Sequence, residues 1–317
     1  MSQCTFLSLA HQKKLRCEKF LNEMEAVIPW AKLLSKIDYR YYKNQDKEAG
    51  RNKYDLKLML KIYCLQQWYN LSDPAMEEGI YDRYSFQRFL GIDLLGDNVP
   101  DETTILNFRH FLEQEKLQKK IFNLIKEILE EKGYIMKTGS IVDATIISAP
   151  MSTKNKKKER DPEMSFTVKN NNLHFGMKLH CGVDADSGLI HHVATTTAKR
   201  HDKVMMNELF YGKEKRKFGD KGYYSETEKR QARANEIFWG ILDKGKRGHK
   251  LSNSQQKRNK KLASIRAKVE HPFRVIKDLW FHRKVRYKGL FKNTGQMFML
   301  CALANLFMVR KRLLVAA

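Results

Sequence analysis

Apolar positions recur at helical spacing through the first part of the chain. Leu56, Met59, Leu60, Tyr63 and Cys64 fall on one face, and Trp68 continues the stripe. The run Asn70-Leu-Ser-Asp-Pro74 breaks this helix, and Ser72 or Asp73 can cap the next, with Pro74 in its first turn. Ser85 and Asp101 are further cap candidates, and Asp101 precedes an amphipathic run through Leu106, Phe108, Leu112 and Leu117. Residues up to about 130 therefore read as a chain of short helices. The stretch from about 55 to 91 suits a helix-turn-helix unit, and equally a bundle that packs or dimerises without reading bases.

The period changes between Gly133 and Gly139. Residues 140–147, Ser-Ile-Val-Asp-Ala-Thr-Ile-Ile, form a short apolar run rich in β-branched side chains and predict a buried strand. The polar stretch 150–172 predicts a long loop. Residues 177–183 and 189–195 predict two strands joined by the turn Asp-Ala-Asp-Ser-Gly. A helix over 203–210 is expected next, then a strand over 216–219 that ends at Asp220. Ser225 caps a further helix, and 238–242 is a fifth strand. Beyond a basic linker, helices are predicted over 262–280 and 296–313. The pattern is α/β: a mixed sheet flanked by helices, behind an all-helical N-terminal domain. The division expected is a helical domain over 1–135 and an α/β domain over 136–317 with a basic insertion at about 244–262.

Charge narrows the class. The 317 residues carry a formal net charge of +24 with 42% hydrophobic residues, which combines a real core with a preference for polyanions. Between Lys244 and Lys292 there are 17 Lys and Arg against two acids, Glu270 and Asp278. A solvated face mixes signs, so this one-sided stretch reads as a phosphate track. The five cysteines, Cys4, Cys17, Cys64, Cys181 and Cys301, form no CxxC pair, which disfavours a zinc ribbon and fits a reducing compartment, the cytoplasm. The longest apolar stretch, 297–309, is interrupted and too short to span a bilayer, so no membrane is expected as a partner.

Three carboxylates stand out in this basic background. Asp143 lies mid-strand among Ile and Val, where it needs a partner, either a metal or a backbone amide or lysine. Asp220 follows a short strand and precedes Lys221-Gly222, at the strand end where α/β active sites commonly lie; a plain turn aspartate is the alternative. Glu270 shares a helical face with Arg266, Phe273 and Lys277, which suits a site or an ordinary salt-bridge network, and Pro272 should kink that helix. Brought together, three carboxylates would repel one another without divalent cations, and hard oxygen ligands select Mg²⁺ or Mn²⁺. Two such ions are a standard means of breaking and rejoining phosphodiesters. His174, His180 and the pair His191-His192 are weaker candidates for zinc. Asp184 is the reserve carboxylate, and Asp202 reads as a helix cap or a group facing the site.

The segments QQWYNLSDPAMEE, YDRYSFQRFLGI, VPDETTILNFRHFLE, IVDATIISAPMSTKNK, RDPEM, HFGMKLHCGVDADSGL, FGDKGY and SIRAKVEHPFRVIK resemble the DDE transposases of bacterial insertion sequences, of insertion-sequence-five type. The resemblance runs from about residue 17 to 310. It implies an RNase-H-like catalytic core with Asp143, Asp220 and Glu270 as catalytic and metal-binding acids, two Mg²⁺ or Mn²⁺ ions, and double-stranded DNA, both terminal inverted repeats and target, as partner. It also implies a homodimer or higher assembly on DNA and a bacterial, nucleoid-associated setting. The family spacing Tyr, two residues, Arg, three residues, Glu, six residues, Lys is met by Arg266, Glu270 and Lys277, whereas its Tyr position holds Ala263. The DNA contacts expected are Arg266, Lys277, Arg274, Lys154, Lys156, Lys157, Lys244 and Arg247.

Overall fold

Side-chain caps start three of the seven described N-terminal helices, two of them, Ser72 and Asp101, where the sequence places them. In the computed structural model, which describes residues 15–43, 52–169, 171–245 and 250–315, these helices are α1 (Arg16–Val27), α2 (Trp30–Tyr42), α3 (Leu56–Tyr69), α4 (Asp73–Asp82), α5 (Tyr84–Leu90), α6 (Glu102–Gln114) and α7 (Leu117–Glu131). Asp55 accepts from the Leu58 amide, Ser72 from Ala75 and Asp101 from Thr104, so each satisfies an amide left over at a helix start. Ser85 is not a cap, because α5 begins one residue earlier, after Arg83. Helix α3 is buried on nearly every side, including Lys61, Gln66 and Gln67, and serves as the bundle's central post. Its terminal residue Asn70 takes the left-handed conformation (φ 51°), the usual helix stop for a non-glycine.

The sheet has six strands: β1 (Gly139–Ser148), β2 (Ser165–Lys169), β3 (Asn172–Asp184), β4 (Ile190–Thr197), β5 (Arg216–Gly219) and β6 (Phe238–Ile241). β1, β5 and β6 run parallel, β3 is antiparallel to β1, and β4 is antiparallel to β3. The resulting order β4-β3-β1-β5-β6, with β1 central and its parallel neighbours on one side, is the RNase-H-like mixed sheet. β2 is a departure from expectation. It sits inside the segment read as loop and pairs with the first half of β3, whose second half pairs with β4. Two other expectations are corrected. Residues 203–210 form short 3₁₀ turns (Asp202–Met205 and Asn207–Leu209) instead of a helix, and most of the basic linker is helical.

That linker helix is α9 (Asn253–Arg266), started by a capping box in which Ser252 accepts from the Gln255 amide and Gln255 reaches back to the Ser252 amide. A 3₁₀ turn (Ala267–Val269), α10 (Glu270–Arg274) and a π turn (Val275–Leu279) follow, with Pro272 in the middle of α10. Proline offers no amide to the carbonyl four residues back and crowds it, so the regular ladder cannot run through, as the sequence predicted. Helix α8 (Glu226–Ala234) covers the β5–β6 crossover. The last helix, α11 (Leu290–Val315), is buried over most of its length against α1, α7 and β4. Its Asn305 side chain bonds both the amide and the carbonyl of Ile190, fixing helix to sheet. Among the described residues no helix is long and apolar enough to cross a membrane.

Candidate active site

The parallel pairing of β1 with β5 positions the first two carboxylates. Val142 is in register with Gly219, and the residues that follow are Asp143, within β1, and Asp220, just past the end of β5. Neighbouring strands lie about 4.8 Å apart, and residues in register face the same side of the sheet. The close approach depends on Gly219, where a Cβ would lie 2.8 Å from Ile241 and 3.2 Å from Val142. Asp220 then caps the 3₁₀ turn Lys221–Tyr223, its carboxylate accepting from the Lys221 amide at 2.6 Å.

Asp143 has two partners. Its Oδ1 accepts from the Ala144 amide at 2.8 Å, and its Oδ2 accepts from Arg266 Nη2 at 2.9 Å. Burial pushes the Asp143 carboxyl above the usual carboxylate range; Arg266 and the Ala144 amide pull it down, and the charge of Asp220 adds to the rise. Arg266 shows the other side of the same arrangement. Burial works against its charge, but Asp143, then Asp220 and Glu270, hold the guanidinium more firmly protonated than usual. All three acids thus act on one arginine at the end of α9.

Glu270 is exposed at the start of α10, one turn after Arg266, beside a cavity of about 440 Å³ that Thr145, Arg274 and Lys277 also line. Among the described residues no three His, Cys, Asp or Glu side chains are grouped closely enough to hold an ion. The donor chemistry suits a hard divalent cation, with two carboxylates that directly follow a register pair and a third at the start of α10. Arg266 supplies positive charge to the Asp143 oxygen that such an ion would use.

The other sequence candidates separate clearly. Asp184 is fully buried and accepts from the amides of Met136, Lys137, Asp186 and Ser187 and from the Ser187 hydroxyl, so it is a structural clamp on its turn. Asp202 pairs with Lys178 at 2.9 Å, and the cap of its 3₁₀ turn is the His201 ring instead. His180 is buried against Thr196, and burial pushes it down to about 4. His191 and His192 bond each other and pack on Tyr211. The described cysteines are all free; Cys4 and Arg247 lie outside the described residues.

Of the expected DNA contacts, Lys154, Lys156, Lys157, Lys244 and Arg274 are exposed. Lys156 and Lys157 line a cavity of about 470 Å³ between the loop after β1 and residues 285–288. Arg266 is engaged by Asp143, and Lys277 donates to Thr145 Oγ1 and to the Ile146 carbonyl. Sequence reasoning missed Lys169 and weighed His174 only as a zinc ligand; the β2–β3 hairpin brings both to a second cavity on Lys277. The signal was present in the period-two alternation of Ser-Phe-Thr-Val-Lys over 165–169.

Residues 9–111 match the family described as "Transposase domain (DUF772)". A solved structure titled "Crystal structure of the Mos1 Strand Transfer Complex" aligns with 87% of this chain and 99% of its own at 14% identity, but its TM-score of 0.19 is too low to bear on fold or function. Residues 135–306, more than half of the chain and the span that holds the whole sheet, match the family described as "Transposase DDE domain", and the chain belongs to these transposases, enzymes that cleave and join DNA.

Proposed function

We propose that this transposase binds the terminal inverted repeats of its own element, hydrolyses a phosphodiester at each end, and directs the freed 3′-hydroxyl against target DNA at the same site. The observation that carries the reading is the register of Val142 with Gly219 on neighbouring parallel strands, which brings Asp143 and Asp220, the residues that follow them, side by side near a helix that starts at Glu270. Transposases of this family generally use divalent metal ions. Here Asp143, Asp220 and Glu270 would hold two Mg²⁺ or Mn²⁺ ions, which supply an acidified attacking oxygen and a stabilised leaving oxygen.

The chain's own residues do the rest. The Ala144 amide and Arg266 favour the ionised form of Asp143 and offset part of the rise that burial imposes on its carboxyl. The amide of Lys221 orients Asp220. Arg274 and Lys277 lie beside Glu270, where they would neutralise phosphates flanking the scissile bond. The N-terminal helices would read the ends, and the basic stretch from 244 to 292 would hold the backbone of a dimer or higher assembly.

The test is metal-dependent cutting of a duplex that carries the DNA bordering the gene, followed by strand transfer of a pre-cut end into plasmid. Asp220→Asn should abolish both while leaving end binding intact. Cutting without joining would make the protein a nuclease, and loss of binding together with cutting would make Asp220 structural.

A further inference from the structure

The two cavities beside α10 form one groove. The first, about 440 Å³, opens at Glu270; the second, about 310 Å³, ends at Lys169 and His174; they share Thr145, Lys277 and Asp278 as a common wall. Along β1 the groove runs from Thr145 to Ser148. At about 3.3 Å per residue this covers roughly 10 Å. One strand of a duplex advances about 3.4 Å along the axis per phosphate, so this length spans roughly three phosphates.

Its charge is uncompensated. Asp278 is the one acid on the wall besides Glu270, and Arg283 already engages it at 2.7 Å. Lys277 is half-buried, and both of its hydrogen-bond acceptors, the Thr145 hydroxyl and the Ile146 carbonyl, are neutral. Its third N–H is left for a ligand. No ion pair is formed by Lys277, Lys169 or Arg274 among the described residues. Lys169 also repels Lys277, and after burial it is the largest influence lowering the Lys277 pKa. Two cations that repel across a groove are relieved by an anion between them.

We propose that Lys169 and Lys277 form a phosphate clamp, so that the β2–β3 hairpin is an arm seating the strand that carries the scissile phosphate, several nucleotides from the bond to be cut. This inference rests on the reading of Asp143 and Asp220 as catalytic. Lys169 is exposed on an edge strand, so its truncation should leave the fold intact.

The experiment measures affinity for a duplex of about 40 base pairs from the gene's flank, over about 50 to 200 mM salt, with Lys169→Ala checked for an unchanged Tm. One lost phosphate contact lowers the slope of log K against log salt by about 0.9 on duplex DNA, so the loss of affinity over this range should be about 3.5-fold smaller than in the wild type. A drop nearer 0.7 would mean that the clamped strand is unpaired, and it supports the clamp equally. Methylphosphonates placed singly along the cleaved strand should then weaken wild-type binding most at one position and weaken Lys169→Ala less there, since Lys277 alone remains to lose the contact. Equal slopes for wild type and Lys169→Ala, or no phosphate whose neutralisation distinguishes them, would overturn the clamp. Asp220→Asn tested on the same duplex separates the two readings: loss of cutting with retained binding upholds the catalytic site whatever Lys169 does, whereas unimpaired cutting overturns that reading and the clamp with it.

Discussion

Replacing Arg266 with Gln should make the carboxylate site bind divalent ions more tightly when no DNA is present. Arg266 Nη2 lies 2.9 Å from Asp143 Oδ2, and the two side chains are 23% and 16% exposed, so the pair is partly shielded from water. Two unit charges 4 Å apart attract by about 4 kcal/mol at an effective dielectric near 20. Solvent screening and rehydration of the released guanidinium offset part of this, leaving an obstacle of about 1–2 kcal/mol to any ion that must take the Asp143 oxygen. Since 1.4 kcal/mol is tenfold in affinity, the substitution should tighten binding about tenfold.

The assay is Mn²⁺ titration of the DNA-free protein, with free ion followed by electron paramagnetic resonance. It should be run near pH 8. Burial already lifts the Asp143 carboxyl, and removing Arg266 lifts it further, so at lower pH a proton competes with the ion and hides the gain. Asp143→Asn is the control for site identity. Equal Mn²⁺ affinities for wild type and Arg266→Gln, in a protein where Asp143→Asn abolishes binding, would refute the idea that the guanidinium competes for this oxygen.

Arg266→Gln should also lower stability near neutral pH by about 1–3 kcal/mol, since it leaves a largely buried carboxylate without its cation. That deficit should shrink as acidification protonates Asp143, whose folded-state pKa lies above its ordinary value; a Tm gap between variant and wild type that stays constant with pH would count against it. Asp184→Ala should cost about 3 kcal/mol, because four part-buried amides lose a charged acceptor, and urea melts of the two proteins should separate accordingly. His282 is buried, bonds the Gln67 carbonyl at 2.7 Å, and is pushed down to about 4 by burial. The folded state therefore binds fewer protons than the unfolded chain, and stability should fall by about 3 kcal/mol as pH drops from about 6.5 to 4. His282→Gln, which can still donate to Gln67, should flatten that part of the Tm profile; an unchanged profile would clear His282 of the effect.

What the chain revealed before its structure follows a physical divide. β1 was legible because Ile141, Val142 and Ile147 are core residues and their apolar run survives any context. The caps at Ser72 and Asp101 were legible because a helix start needs a local acceptor that sequence places within three residues. α9 was harder: only Leu262 of its fourteen residues is buried, so no apolar stripe marks it, and its one local sign was the Ser252–Gln255 capping box. β2 has no buried residue and owes its existence to the ladder with β3, a partner that periodicity cannot name.

The site divides in the same way. Residue type and strand-end position pointed to Asp143 and Asp220 separately, but their adjacency comes from a parallel register between segments more than 70 residues apart. The sequence placed Arg266 and Glu270 on one helical face and so suggested a pair between them. In the folded protein Arg266 turns to Asp143 instead. The reason is burial: Glu270 is exposed and its charge is already served by water, whereas Asp143 is largely withdrawn from solvent and gains far more from a cation. The same inequality bears on DNA. A phosphate that approaches Arg266 must outcompete a shielded carboxylate, but one that approaches Lys277 or Lys169 meets no acid partner. The first phosphates held firmly should therefore lie along the groove, with Arg266 yielding only after the strand is seated.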